Sequence, residues 1–318
     1  MEIYEKIKTI VFGGGCFWGT QQAFKLLNGV IKTQVGYANG TTDKTEYQNL
    51  SVTEHAEVVK ITYDANKIRL AELIDRFFLI IDPFTLNQQG NDVGRQYRTG
   101  IYYENDEDLK IINLSMEVRR KLYDKKIYVE VEKLKNYVTA EPYHQNYLEK
   151  YPSGYCHINP NDILKPLWSD NNFIKPSDEE IKKQFGSDVL YISQEKGTEY
   201  PFTSKYNDEN QVGIYVDVIS KEPLFSSIDK FDAGCGWPSF TRPITTDRLD
   251  EYEDTSHSMI RTEVRSKIAN SHLGHVFNDG PVEKGMLRYC INGAVLEFIP
   301  LSKMEERGYL LYIPYVYQ

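Results

Sequence analysis

The sequence predicts two domains of different class. The first is an N-terminal α+β domain, an α/β sandwich around a mixed sheet. The second is a C-terminal, mainly antiparallel β domain of two-sheet, barrel-like form. Three observations carry this. Up to about residue 150, β-branched runs alternate with segments of helical apolar spacing. After Cys156 the alternation stops, and Pro160, Pro166 and Pro176 interrupt a stretch with no period. Past Gly186, short β segments and turns take over and helical periodicity is scarce. The expected boundaries are therefore 1–157 for the first domain, 158–176 for a linker or ordered tether, and 177–318 for the second. A chain of 318 residues can bury two such cores.

Element by element, residues 7–12 (Ile-Lys-Thr-Ile-Val-Phe) read as a strand running into three glycines. A helix follows, with Ala23, Phe24 and Leu27 on one face and Gly29 as its stop. Residues 58–63 form a second strand. Leu70, Leu73, Ile74, Phe77, Phe78 and Ile81 recur at helical spacing, closed by Pro83. Residues 99–103 predict a strand, Ile111, Leu114, Val118 and Leu122 a helix, and 127–131 a further strand. Ser177 and Glu180 have the spacing of a capping box opening a short helix through Phe185. The β segments beyond it are 213–219, 259–264, 275–277 and 294–298.

Totals narrow the function classes. The net charge of -9 without a basic tract argues against nucleic acid and anionic membranes as partners. No apolar run approaches the roughly 20 residues that span a bilayer, and no signal peptide is evident. Four cysteines are too few for a secreted disulfide scaffold, so they read as thiols of a cytoplasmic protein. They are Cys16, Cys156, Cys235 and Cys290. Two of them centre the motifs Gly-Gly-Gly-Cys16-Phe17-Trp18-Gly and Arg288-Tyr-Cys290-Ile-Asn292, which leaves each one possible partner.

Cys16 lies where a strand meets a helix N-terminus, and unpaired N–H groups there favour a thiolate and a lowered pKa. Phe17 and Trp18 can form an apolar wall. The competing readings are an inert packing cysteine and a dinucleotide-binding turn, whose glycine spacing this motif misses by one. Glu57, in His55-Ala-Glu57, begins an apolar strand, where a raised pKa would suit an acid. Polar loops at 89–98 and 140–147 complete the set. In the second half, His272 and His275 with nearby cysteines raise a zinc site as a rival. No C-x-x-C pair exists, and Cys235 alone supplies too few thiolates.

GGGCFWG, HAEVVK, QGNDVGRQYR and AEPYHQNYL together closely resemble type A peptide-methionine sulfoxide reductases, over residues 5–157. The resemblance implies Cys16 as nucleophile and Glu57 as proton donor to the departing oxygen. It implies Tyr47, Tyr97 and Asp92 as the polar network around that oxygen, and Phe17 and Trp18 as the cradle of the substrate methyl group. Segments around Gln194–Glu199, GCGWPSF, HLGHVFNDGP and RYCIN look like type B methionine sulfoxide reductases, over 177–318. Here the resemblance implies Cys290 as nucleophile, Cys235 as recycling cysteine and His275 as acid. His272 and Asn292 would be hydrogen-bonding supports, Trp237 the methyl-holding wall, and Arg288 and Asp279 outer residues. Many type B members hold a structural zinc in two C-x-x-C pairs. The corresponding positions here are Asp217, Ser220, Ser266 and Ala269, so no zinc and no other cofactor is expected.

Oxidised methionine sulfur is chiral, and each epimer needs its own enzyme. The resemblance assigns S to the first domain and R to the second. Substrates would be oxidised proteins and peptides or free methionine sulfoxide. The sulfenic acid left on each nucleophile would condense with a second thiol, and thioredoxin would reduce the disulfide. Cys156 is the candidate recycler for Cys16. Two readings from other classes compete: a redox sensor that binds oxidised methionine without turnover, and a cysteine hydrolase with His55 or His144 as base.

Overall fold

The computed structural model describes residues 6–167, 172–256 and 259–317. The chain divides into two compact units, Ile7–Leu167 and Trp168–Gln318.

The first unit runs β1 (Ile7–Gly14), α1 (Phe17–Lys25), β2 (Val30–Ala38), α2 (Leu50–Thr53), β3 (Ala56–Asp64) and α3 (Leu70–Phe78). It continues with β4 (Gln88–Gln89), β5 (Asp92–Val93), β6 (Thr99–Tyr103), α4 (Asp106–Leu122), β7 (Glu130–Lys133), β8 (Val138–Thr139) and α5 (Tyr147–Lys150). Six strands form one sheet in the order β7-β6-β1-β3-β2-β8. The β6–β7 pair is parallel and the others antiparallel, so the sheet is mixed. Phe12 of β1 stacks on Phe24 of α1 at 5.0 Å and on Phe77 of α3 at 4.8 Å, which anchors both helices on the strand that leads to Cys16. Gly29, at φ 97, ends the turn after α1. Asn105 caps α4 by accepting from the Asp108 N–H, and the helix has acids in its first turn and bases in its last.

The stretch after Cys156 packs onto this unit as far as Leu167. Ile163 and Leu167 are buried, and the buried guanidinium of Arg76 on α3 donates to the carbonyls of Ile163 (3.1 Å) and Lys165 (2.8 Å). A buried charge needs acceptors, and this segment supplies them.

In the second unit, both halves of the Ser177–Glu180 capping box form at the start of α6 (Asp178–Phe185). A further helix, α7 (Ser187–Gln194), follows where only β segments were expected. Gly186, at φ 93, breaks the first helix and starts the second. The strands are β9 (Gly213–Asp217), β10 (Pro223–Ser226), β11 (Lys230–Phe231), β12 (Ser239–Phe240), β13 (Leu249–Asp254), β14 (Arg261–Ser266), β15 (His272–Phe277), β16 (Arg288–Ile291) and β17 (Leu296–Pro300). They form an antiparallel three-stranded sheet, β10-β9-β17, and an antiparallel six-stranded sheet, β11-β12-β16-β15-β14-β13. Tyr215, Phe225, Phe240, Val264, Leu273 and Ile291 make their shared core. Both sheets stay open among the described residues, so "barrel-like" holds only loosely.

Candidate active sites

In the first unit, β1 delivers Cys16 to the N-cap of α1. Register places Glu57 of β3 opposite Tyr37 of β2. The Glu57 carboxylate, 1 % exposed, accepts from the Phe17 N–H at 3.1 Å. Phe17 packs against Tyr37 (5.9 Å) and His144 (5.0 Å). Trp18 stacks on Tyr147 at 3.7 Å and donates to His144 Nδ1 at 3.2 Å. Tyr47 closes on the other side of His144 at 4.7 Å. Tyr47 and Tyr97 hydrogen-bond each other, and the charges of Glu57 and Asp92 act on both. The fold thus brings together Cys16, Glu57, Phe17, Trp18, Tyr47, Tyr97 and Asp92 from four separate segments: 16–18, Tyr47, Glu57 and the 89–98 loop.

The expected lowering of the Cys16 pKa does not occur. Burial, with Cys16 only 6 % exposed, pushes the thiol up, and the nearby Glu57 adds to the rise. A hydrogen bond from Trp18 opposes this but is outweighed. The helix N-terminus spends its next N–H, that of Phe17, on Glu57 rather than on sulfur. Burial pushes Glu57 up to about 8, so its carboxyl carries a proton at neutral pH. His55 packs against Gly40 and His144 sits in the aromatic wall, and neither is among the groups acting on Cys16.

Cys156 comes back to the first turn of α1. A side chain at position 19 would collide with Cys156 Sγ, so Gly19 is needed for that approach. Cys156 Sγ donates to the Ile158 carbonyl at 2.9 Å, and its charge acts on Cys16. His157, next in sequence, lies 3.2 Å from Asp92.

In the second unit, Cys290 sits mid-sheet on β16. Register sets it opposite His275 on β15 and opposite Ser239 on β12. A side chain at Gly274 would strike the Cys290 carbonyl, which is why β15 carries glycine there. Cys235 Sγ is 3.6 Å from Cys290 Sγ and 3.4 Å from Ser239 Oγ. Burial and the neighbouring thiol push Cys290 up to about 12. Cys235 falls below its usual value, because hydrogen bonds from Ser239, Trp237 and Cys290 outweigh its burial. A cleft of about 140 Å³ beside Cys290 is walled by Trp237, His272, His275, Arg261 and Asn292.

Each histidine is held by a carboxylate: His272 Nδ1 by Glu263 and His275 Nε2 by Asp254, both at 2.7 Å. Glu263 also binds Arg265 (2.9 Å) and Lys196 (3.0 Å). Asn292 uses its amide on backbone, donating to Leu273 O at 3.0 Å and accepting from Glu199 N at 3.1 Å. Trp237 Nε1 donates to Glu199 O at 3.2 Å. Arg288 holds Asp279 through two 2.8 Å bonds and lies 4.5 Å over Phe277.

The four positions that could have held zinc are buried and used otherwise. Asp217 Oδ1 accepts from Ile219 N at 2.7 Å. Ser220 Oγ donates to Glu222 Oε1 at 3.0 Å, and Ser266 Oγ accepts from Ser271 N at 3.0 Å. Glu222, with no exposed surface, joins the two turns by accepting from Ile268 N (2.9 Å) and Ala269 N (3.0 Å). One carboxylate, two hydroxyls and a methyl group do not make the thiolate set that structural zinc takes. Among the described residues no group of three or more His, Cys, Asp or Glu is placed to hold a metal.

Tyr37, His157, Glu263 and Asp254 were not among the predicted site residues. Asp254 gives no signal, lying in an acidic surface-like run. His157 adjoins a cysteine, which was a usable hint.

Known proteins resemble each half of the chain. Residues 8–173 match the family model for peptide methionine sulfoxide reductase, and residues 186–300 match that for the SelR domain. Among solved structures, reduced Mxr1 from Saccharomyces cerevisiae is 41% identical over 48% of this chain and 89% of its own, with a TM-score of 0.45. Methionine sulfoxide reductase A of Corynebacterium diphtheriae is 32% identical over 47% of this chain and 77% of its own, with a TM-score of 0.42. Mxr1 is also similar in a structure in complex with Trx2, at 33% identity over 45% of this chain and 85% of its own, with a TM-score of 0.34.

Proposed function

The chain belongs to the peptide methionine sulfoxide reductase family, with a SelR domain fused behind it, and reduces methionine sulfoxide; from this we propose that Cys16 serves the S epimer and Cys290 the R epimer. The observation that carries the proposal is the second thiol beside Cys290, with Cys156 lying at the first turn of the helix that Cys16 caps. Cys235 lies 3.6 Å from Cys290, so a disulfide of about 2.05 Å needs only a small closure.

In each site the nucleophile's sulfur attacks the sulfoxide sulfur, while Glu57 or His275 gives a proton to the oxygen. The sulfur–oxygen bond breaks, methionine leaves, and the oxygen ends on cysteine as sulfenic acid. Tyr47, Tyr97 and Asp92 hold the oxygen in the first site. Phe17 with Trp18, and Trp237 in the second site, hold the methyl group. Asn292 acts by fixing its surroundings, because its amide is engaged with backbone, whereas Arg288 holds Asp279 and also acts on Cys290, its hydrogen bond and charge favouring the thiolate. Cys156 or Cys235 then condenses with the sulfenic acid, releasing water. A thioredoxin-type dithiol supplies two electrons and two protons, returns both thiols and is itself left as a disulfide. We assign no zinc or other cofactor to the chain, place its substrates among oxidised proteins, peptides and free methionine sulfoxide, and place its work in the cytoplasm.

Thioredoxin-coupled NADPH consumption on separate S and R epimers tests this. Cys16→Ser abolishes turnover of S alone and Cys290→Ser that of R alone. Either variant losing both epimers, or neither, would sink the two-site assignment.

A further inference from the structure

Asp254 ends β13, and register sets it opposite Arg261 on β14. Arg261 Nη2 donates to Asp254 Oδ2 at 2.8 Å and to Ser256 Oγ at 3.1 Å, and the Ser256 N–H donates to Asp254 Oδ1 at 3.0 Å. The same Oδ2 lies 2.7 Å from His275 Nε2. His275 stands directly across β15–β16 from Cys290, and opposite residues of an antiparallel pair project to one face. Arg261, His275 and Cys290 line one cleft. A continuous series, Arg261 to Asp254 to His275, therefore ends beside the nucleophile.

Other charged groups face His275 from each neighbouring element. Glu263 is opposite it on β14, but its oxygens go to His272, Arg265 and Lys196. The His272 ring is 5.5 Å away on the same strand. Cys290 and Arg288 come from β16, with Arg288 over Phe277. Asp254 is the carboxylate with a direct bond to the ring. Its side chain and that of His275 are each only 13% exposed, so the contact is sheltered from solvent screening.

We propose that Asp254 is a positioning residue of the second site: it holds the His275 ring toward Cys290, with Arg261 keeping the carboxylate in place. This rests on reading His275 as the proton donor. A carboxylate at hydrogen-bond distance from one ring nitrogen fixes the ring's orientation and leaves the other nitrogen free to face the nucleophile.

The test measures methionine formed in a single turnover of the full-length chain with R-epimer peptide, across pH. Asp254→Asn is expected to slow this step at least about tenfold. KM stays within about twofold, and the S-epimer rate is unchanged. Asp254→Glu, which keeps the charge, recovers part of the loss. In a His275→Asn background, Asp254→Asn adds no further loss, because its effect runs through the ring. The proposal is overturned if Asp254→Asn keeps the wild-type rate, or if it costs as much in the His275→Asn background as alone. A His275→Asn chain with a full R-epimer rate would remove the acid assignment itself, and the proposal with it.

Discussion

The two candidate sites hold a titratable side chain near the thiol by opposite means. In the first unit, Glu57 is a carboxyl sunk in an apolar sheet with one backbone hydrogen bond, and burial, with a smaller push from Asp92, lifts it to about 8. In the second, His272 and His275 are tied to Glu263 and Asp254, which are themselves tied to Arg265, Lys196 and Arg261. Desolvation favours the neutral form of any acid. For a carboxyl the neutral form is the one that carries the proton, so burial suffices. For an imidazole it is the form without the proton. Burial lowers His272 even with Glu263 beside it. A histidine donor therefore needs carboxylate partners, and the partners need cations.

Glu57→Gln gives the largest break in this comparison. The S-epimer rate should fall by about 10²–10⁴-fold while the R-epimer rate stays. In the wild type, Glu57 is protonated below about 8 and loses its proton above it, so S-epimer turnover declines as pH rises through about 8. The variant's residual rate lacks that limb. A limb that persists in the variant would assign the ionisation to another group.

Next in size is Glu222→Ala. It strands the N–H groups of Ile268 and Ala269 and the Ser220 hydroxyl. The second unit should lose about 3 kcal/mol in denaturant unfolding, with S-epimer turnover kept. Glu222→Gln, which still presents an acceptor oxygen, loses less. Burial raises Glu222 to about 7 from its ordinary value near 4.5. The folded form therefore holds a proton that the unfolded chain releases, and this contribution is full below pH 4.5 and lost as pH rises through about 7. A second unit equally stable at pH 6 and pH 8.5 would remove Glu222 from this role.

Disulfide closure separates the sites more mildly. Cys235 already lies beside Cys290, whereas Cys156 is hydrogen-bonded to the Ile158 carbonyl. After one turnover without reductant, quenched thiol counts should show the Cys235–Cys290 bond forming about tenfold faster than Cys16–Cys156. Equal rates would mean that juxtaposition is not limiting. The smallest effect is Ser177→Ala, which removes the cap of α6 and should cost about 1 kcal/mol in the second unit's unfolding without touching either activity.

Most of the framework was legible in the order of residues. The strand into Gly13–Gly15, the helix spaced on Leu70 to Phe77 and the capping box at Ser177 all rest on local periodicity or local hydrogen bonds, and all formed. β2 went unseen because Val30–Ala38 mixes Lys, Thr and Gln among its apolar residues, and its burial comes from lying between β3 and β8. α7 went unseen because its inward face is completed by Ile219 and Ala269, far away in sequence. The direction of the Cys16 shift was misjudged for a similar reason: a helix N-terminus is visible in sequence, while the depth of burial is not.

By itself the sequence determined the family and the two cysteine-centred motifs, with Cys16 in one and Cys290 in the other, and it holds no C-x-x-C pair. Local residue types decide these. Tertiary structure alone decided which groups meet, namely Cys235 with Cys290, Cys156 with Gly19 and Asp254 with His275. It also decided which protons stay bound, because desolvation and hydrogen bonding depend on neighbours that only folding brings within a few ångströms.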